Sequence, residues 1–216
     1  MIDASQIIPL VSALILGFGL SAACGLRVFL PVLGAAIAVR CGWLRPGDGW
    51  DWLGSTTAIG TLSVACVVEI VAAHVPAVDH FLDVLAAPLA TAAGTLLMGV
   101  EIASQFGVST ADPLEQVTGT PGLSPLVLWT CALVAGGGVA LTTHAATATG
   151  RVGSLLSTAG LANPIYALGE TVGALGATVT AIAAPACCAA IALPIAALLA
   201  AVVIIRLRKR RSATLG

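Results

Sequence analysis

Charged and aromatic residues are scarce in this sequence. Of its 216 residues, 9% are charged and 4% are aromatic, whereas 58% are hydrophobic and the mean hydropathy is +1.05. A soluble domain carries about 25% charged residues, so there are too few polar side chains here to cover a water-soluble particle. The composition excludes an ordinary soluble enzyme or binding domain and predicts an integral membrane protein.

The sequence also lacks the motifs of the common enzyme classes. No G-x-S-x-G, H-E-x-x-H or P-loop sequence occurs, and the six cysteines form no C-x-x-C pair. Most of these cysteines lie among Ala, Val and Leu, as small buried residues do, and indicate neither a disulfide frame nor a metal site. We therefore expect no cofactor and no catalytic residue, and the sequence favours a protein that is not an enzyme.

Long apolar runs dominate what is present. They cover about 6–23, 28–42, 56–75, 77–104, 125–147, 163–184 and 186–205. Several approach the roughly 20 residues that cross a hydrocarbon core as a helix. We predict an all-α fold, a polytopic integral membrane helical bundle with about 5–7 apolar segments. Residues 1–205 form this single domain and residues 206–216 form a basic tail.

Basic residues are concentrated at the C-terminus. Five of the nine lie in "IIRLRKRR", residues 204–211, directly after an apolar segment. The positive-inside rule makes this tail cytoplasmic and predicts a protein of the bacterial cytoplasmic (inner) membrane. Membrane lipids are expected partners of such a cluster, and nucleic acid is not. The small-residue stretch 144–160, which holds Arg151, is predicted to be a connection on the same side.

The same rule predicts that one apolar run fails to cross the membrane. The loop at 40–55 holds two arginines and prefers the cytoplasm, whereas the acidic loop at 104–125 has no Lys or Arg. An odd number of crossings must separate them, yet two runs lie between. Residues 76–104 are predicted to break at Pro88 and Gly94 and to return as a re-entrant hairpin, with a straight tilted helix as the alternative.

Small residues recur throughout and include a weak internal repeat. "SAACGLRVFLPVLG" (21–34) is similar to "STAGLANPIYALG" (157–169), and each is predicted to be a turn between half-helices, as in transporters built from repeats. Three successive glycines, Gly136–Gly138, predict local unwinding within a span. The other glycines are expected to let neighbouring helices approach closely.

Ionisable residues in or beside the apolar runs are the candidate functional groups. An ionised side chain at the bilayer centre costs at least about 2.5–3.5 kcal/mol, so such residues face the bundle interior or a cavity. The candidates for a transport pathway are Glu69, Asp79, Asp83, Glu170, Arg27 and Asn163.

Two aspartates in "PAVDHFLD" have two alternative interpretations. Asp79 and Asp83 are four residues apart and share one helix face, where their charges repel unless a metal ion, a proton, Arg27 or Arg151 lies between them. Alternatively, they follow Pro76 and simply favour the N-terminus of a helix. No choice of metal follows from the sequence.

Of the other candidates, Glu69 and Arg27 also leave two interpretations each. Glu69 is either functional or part of a structural ion pair, and Arg27 either snorkels at a turn or pairs with an acid. Asn163-Pro164 predicts a helix start, with Asn163 as the N-cap and Pro164 at the first helical position. Glu170 lies two turns further along the same face and is expected in the interior.

The longer motifs resemble a known bacterial membrane-protein family. "SAACGLRVFLPVLGAAIA", "VPAVDHFLDVLAAPLATAAGTLLMG", "GGGVA" and "TAGLANP" followed by Glu170 are similar to the domain of unknown function 4126 (DUF4126) over nearly the whole chain. The resemblance implies a polytopic membrane protein. It implies no substrate, cofactor or catalytic residue.

Three hypotheses for the function follow. The first is a small transporter or channel for cations or protons, because acids outnumber bases inside the predicted spans. The second is a lipid-handling protein that flips or modifies a lipid phosphate near Arg27 and Arg151. The third is a non-catalytic membrane scaffold whose charged pairs fix helix register. A homo-oligomer is expected, since so small a subunit needs neighbours to enclose a pore.

Overall fold

The computed structural model describes residues 4–47, 49–73, 76–106, 125–158 and 161–183, with the backbone alone at 4–10, 76–84, 106, 125 and 155. Within these ranges the fold is helical and contains no strand. The helices are α1 (Ala4–Leu26), α2 (Phe29–Arg40), α3 (Thr56–Ala72), α4 (Pro76–Phe106), α5 (Pro125–Ala132), α6 (Gly138–Thr158) and α7 (Asn163–Ala183).

Three stretches of helix are long and apolar enough to cross a membrane: Leu85–Gln105, Leu126–Thr158 and Asn163–Ala183. The outward faces of shorter helices are apolar as well. On α3, Val64 and Val67 are 65% and 60% exposed. An exposed apolar surface of this kind is consistent with a membrane protein. The all-α prediction is confirmed for the described residues.

The α1 helix runs through the core against α4 and α6. Gly17 of α1 lies against Met98, and one turn later the Ser21 hydroxyl donates a 2.9 Å hydrogen bond to the carbonyl of Gly94. Since the order of contacts reverses, α1 and α4 are antiparallel. Further along α1, Gly25 lies against the backbone of α6, so these helices touch without intervening side chains.

The next helix reverses direction at a break after Leu26. Arg27, in the break, contacts Ala167, and Gly34, two turns into α2, contacts Thr178. The α2 and α7 helices therefore run in the same direction. The two segments of the predicted repeat both contain helix ends: α1 ends at Leu26 and α2 begins at Phe29 in the first, and α6 ends at Thr158 and α7 begins at Asn163 in the second.

The bundle has two ends. The Arg40 end holds the end of α2 and the loop that follows it, and the Arg151 end holds the last turns of α6 and the first turn of α7. Arg40 closes α2, and Gly47 in the following loop lies against Ala103 and Ser104 near the end of α4. The loop at 40–55 and the start of 104–125 thus lie at the same end. The prediction that these loops occupy opposite sides is wrong.

The α4 helix is continuous from Pro76 to Phe106, so the predicted re-entrant break in 76–104 is also wrong. A proline within a helix removes one hydrogen bond, which membrane helices tolerate where neighbours pack against them. Gly94 serves a different purpose, since its carbonyl accepts from Ser21 and its Cα faces Gly136. It marks a helix crossing.

The glycine triplet lies next to a π-helical turn. Leu133–Gly137 form this turn between α5 and α6, so the chain stays helical here and the predicted local unwinding is not found. A Cβ added at Gly136 would collide with the carbonyl oxygen of Gly94 and lie 2.5 Å from the Cβ of Met98. The π turn and α4 are therefore in backbone contact, which only glycine permits at this point.

We expect Gly136→Ala to lower the free energy of unfolding by about 1–3 kcal/mol, because the added methyl group must push two backbones apart. Gly138→Ala is the matched control, since a Cβ there meets no atom within 4 Å. Denaturant unfolding of both variants in the same detergent measures the difference. Equal stabilities would contradict the close crossing.

Candidate functional site

A buried carboxylate on α7 gathers two arginines. Arg151 of α6 donates from Nε and Nη2 to the two carboxylate oxygens of Glu170, each at 2.8 Å. Arg27 places its Nη2 3.6 Å from Oε2 of the same group. The Glu170 side chain is only 4% exposed. Paired donors on one carboxylate form one of the strongest arrangements available to side chains, and burial shields it from solvent.

Arg27 lies in the break between α1 and α2, and its side chain is bonded to α7. Its Nε donates to the hydroxyl of Thr171 at 3.1 Å, and its Nη2 donates to the carbonyl of Ala167 at 2.9 Å. The residue is 4% exposed. Arg27 is therefore paired with an acid, as one of the two interpretations expected, and does not snorkel to the surface.

Glu69 of α3 closes the start of α2. Its two oxygens accept hydrogen bonds from the backbone N–H groups of Val28 and Phe29, at 2.6 and 3.1 Å. The first N–H groups of a helix have no partner within it, and the helix dipole favours a negative charge there. Glu69 thus supplies, from another helix, the cap that α2 lacks in its own sequence.

We call Arg27, Glu69, Arg151 and Glu170 the ion network. Both arginines contact Glu170, and they interact with Glu69 electrostatically without an ion pair among the described contacts, so the four side chains link α3, α6, α7 and the α1–α2 junction. Three of its members are sequence-predicted pathway residues. Within the described chain no group of three or more His, Cys, Asp or Glu residues could hold a metal ion.

Two further polar groups lie on the same helix faces, towards the α6–α7 connection. The Oγ of Ser154 and the Oδ1 of Asn163 are buried and have no hydrogen-bond partner in the part of the chain that is described. Ser154 is three residues beyond Arg151, and Asn163 is two turns before Glu170. We call this pair the polar line. The predicted N-cap role of Asn163 is wrong, because α7 begins at Asn163 itself and its Oδ1 caps no N–H group.

The two remaining candidates lie on the first turns of α4, which begins at Pro76. The side chains of Asp79 and Asp83 are outside the described residues, so their roles stay predictions. The helical backbone does place them on one face, four residues apart.

Arg151 is the member that was not among the predicted pathway residues, although it was considered as a counter-charge and as a contact for a lipid phosphate. The stretch 144–160 was expected to be a connection, but α6 continues to Thr158. Its hydroxyl side chains bond to carbonyls one turn back, as Thr149 does to Ala145, and so fit a membrane helix. One signal was available: Arg151 lies seven residues before the end of α6 and Glu170 seven residues after the start of α7, which places them opposite each other in a helical hairpin.

Comparison with known proteins identifies a family but no activity. A family model described as "Domain of unknown function (DUF4126)" matches residues 14–207. No curated protein and no solved structure matches the sequence. The matched range contains the whole ion network and the polar line.

We expect Glu170→Gln to destabilise the fold more than Arg151→Gln. The first change removes the carboxylate that both arginines contact, whereas the second leaves Glu170 with Arg27. Breaking a buried pair costs about 3–5 kcal/mol. Denaturant unfolding in detergent measures both variants and the double variant. The double variant should lose less than the sum of the single changes, and strict additivity would contradict the pairing.

We expect Glu69→Ala to loosen the start of α2, because two N–H groups lose their acceptors, at a cost of about 1–3 kcal/mol. Hydrogen–deuterium exchange should quicken at Val28 and Phe29, and less so in Glu69→Gln, which keeps one acceptor. Ser55→Ala is the control, since the Ser55 hydroxyl caps α3 by accepting from Ala58. If that control changes exchange at α2 equally, the assignment of Glu69 is wrong.

Proposed function

Because the chain belongs to the family described as "Domain of unknown function (DUF4126)", whose description names no activity, we propose a function from the ion network. The protein is a small membrane transporter for protons, and Glu170 is the group that takes up the proton. The observation that carries this proposal is the buried Glu170 carboxylate, shared between two arginines beside the reversal between α1 and α2.

The depth of the network supports the proposal. The 12 residues of α2 rise about 18 Å, and half of a hydrocarbon core is about 15 Å thick. Trp43 and Trp52, at the Arg40 end, are 73% and 54% exposed, as expected of residues at headgroup level. The network then lies inside the hydrocarbon region. Charged groups there are costly and typically belong to ion pathways.

The charges disfavour a metal ion at Glu170. A metal cation at Glu170 would be repelled by the guanidinium groups of Arg27 and Arg151. A proton added to Glu170 cancels the charge that holds both arginines, so its uptake weakens the contacts that join α7 to α6 and to the α1–α2 junction. Protonation is in this way coupled to helix movement, as a transporter requires.

The polar line supports a route between Glu170 and the Arg151 end. Ser154 and Asn163 carry buried polar atoms without partners among the described residues, and buried polar atoms generally bond to protein or to water. They extend the faces that carry Arg151 and Glu170 towards the α6–α7 connection. Water or a hydrated proton is the species that fits such a row.

The wider setting follows the sequence-based expectations. The α7 helix leads from the Arg151 end to the Arg40 end, so one further crossing by residues 186–205 returns the basic tail to the Arg151 end. The tail is proposed to be cytoplasmic, in a bacterial inner membrane. Asp79 and Asp83 are proposed as part of the same pathway, and a homo-oligomer as its enclosing assembly.

We expect proteoliposomes of the wild-type protein to dissipate an imposed pH gradient, followed with a trapped pH-sensitive dye. Glu170→Gln should abolish this flux, because the amide cannot take up the proton. Asn163→Leu should reduce it several-fold while leaving the ion network intact, so this variant tests the route even if Glu170→Gln folds poorly.

Glu101→Gln is the matched control, because Glu101 also lies in a spanning-length helix but is not part of the ion network. Its flux should equal that of the wild type. A wild-type protein without proton flux, or undiminished flux in folded Glu170→Gln, would contradict the proposal. Either result would favour a scaffold in which the network only fixes helix register.

A further inference from the structure

A hollow opens at the Arg40 end, far from the ion network. It has a volume of about 370 Å³ and is lined by Ile37, Arg40, Cys41, Thr56 and Ile59. Its wall is almost wholly apolar, and Arg40 is the one charged residue among those that line it. Its size falls within the range of small-molecule sites, which is about 300–1,000 Å³.

Arg40 is fixed in place at the side of this hollow. Its Nη1 donates to the carbonyl of Gly54 at 3.3 Å and to the hydroxyl of Thr56 at 3.0 Å. Among the described residues these are its hydrogen bonds, so the Nε and Nη2 donors are available to a ligand. A guanidinium held by one nitrogen presents its other donors in a planar fork that matches the oxygens of a phosphate.

The surroundings place the hollow where lipid headgroups lie. Trp43 and Trp52 are exposed in the loop that follows Arg40, and exposed tryptophans mark the membrane interface. Below the hollow, Val64 and Val67 continue the exposed face of α3 about 12 Å and more beyond Thr56. An acyl chain would pack along such a face. Asp51, in the same loop, is exposed and does not line the hollow.

We propose that this hollow binds one anionic phospholipid, with the phosphate on Arg40 and an acyl chain along α3. Complementary charge selects the anionic class, since a zwitterionic headgroup carries its own cation and gains less from a lone guanidinium. The apolar wall and the deeper valines select a lipid over a free phosphate. This inference does not rest on the proposed proton transport.

The full-length protein in a neutral detergent is titrated with phosphatidylglycerol or with phosphatidylcholine of the same acyl chains, and bound lipid is counted by native mass spectrometry. The wild type should bind phosphatidylglycerol roughly fivefold more tightly, which corresponds to about 1 kcal/mol. Arg40→Gln should reduce this preference to the part that the basic tail contributes. Arg45→Gln is the matched control, because it deletes a charge from the same loop but not from the hollow, and it should keep the preference.

A second variant tests the hollow without touching the charge. Cys41→Trp fills it from an exposed position and should weaken the binding of phosphatidylglycerol about as much as Arg40→Gln does. The basic tail is unchanged in every variant. A preference undiminished in Arg40→Gln or in Cys41→Trp, one reduced equally in Arg45→Gln, or none in the wild type overturns the proposal.

Discussion

The carboxylate of Glu170 is the shared counter-ion on which the arrangement of this bundle depends. Arg151 reaches it from α6, and Arg27 reaches it from the break between α1 and α2. Charges removed from water are stable only when each has its partner in good geometry. The α6–α7 hairpin and the α1–α2 junction can therefore take only the relative positions in which both arginines meet one acid.

Small residues make those positions accessible. Gly25 lies against the backbone of α6, and Gly94 and Gly136 bring α4 against the π turn. With no hydrophobic effect between helices in lipid, close packing and hydrogen bonds supply the attraction. The ion network and the glycine crossings are thus complementary. The ion network fixes the register of the helices towards the Arg151 end, and the glycine crossings set how closely the helix axes approach.

The positions of the interior acids could be predicted from the sequence better than the path of the chain could. Glu69 and Glu170 were expected in the interior and are there, because a charge in an apolar helix has few other places to go. A break was predicted at Pro88 and Gly94, where α4 is continuous, whereas the turn predicted within 21–34 lies at 27–28. Proline and glycine interrupt α-helices in water-soluble proteins. A membrane bundle tolerates proline within a helix and uses glycine where two helices pack closely. Loop charges misled as well, since two arginines near a loop are a weak signal of its side.

The sequence by itself determined that this is an all-α, apolar protein with ionisable groups in its interior. Composition and the length of an apolar run decide whether a segment is stable in water or in lipid, whatever its neighbours in the fold are. Only the tertiary structure decided which groups meet. Arg27 bonds to acceptors 140 and 144 residues away, and nothing in a chain of uniformly small, apolar residues specifies that pairing locally. It emerges when the helices pack, since a buried guanidinium must then find its acceptors wherever the fold has brought them.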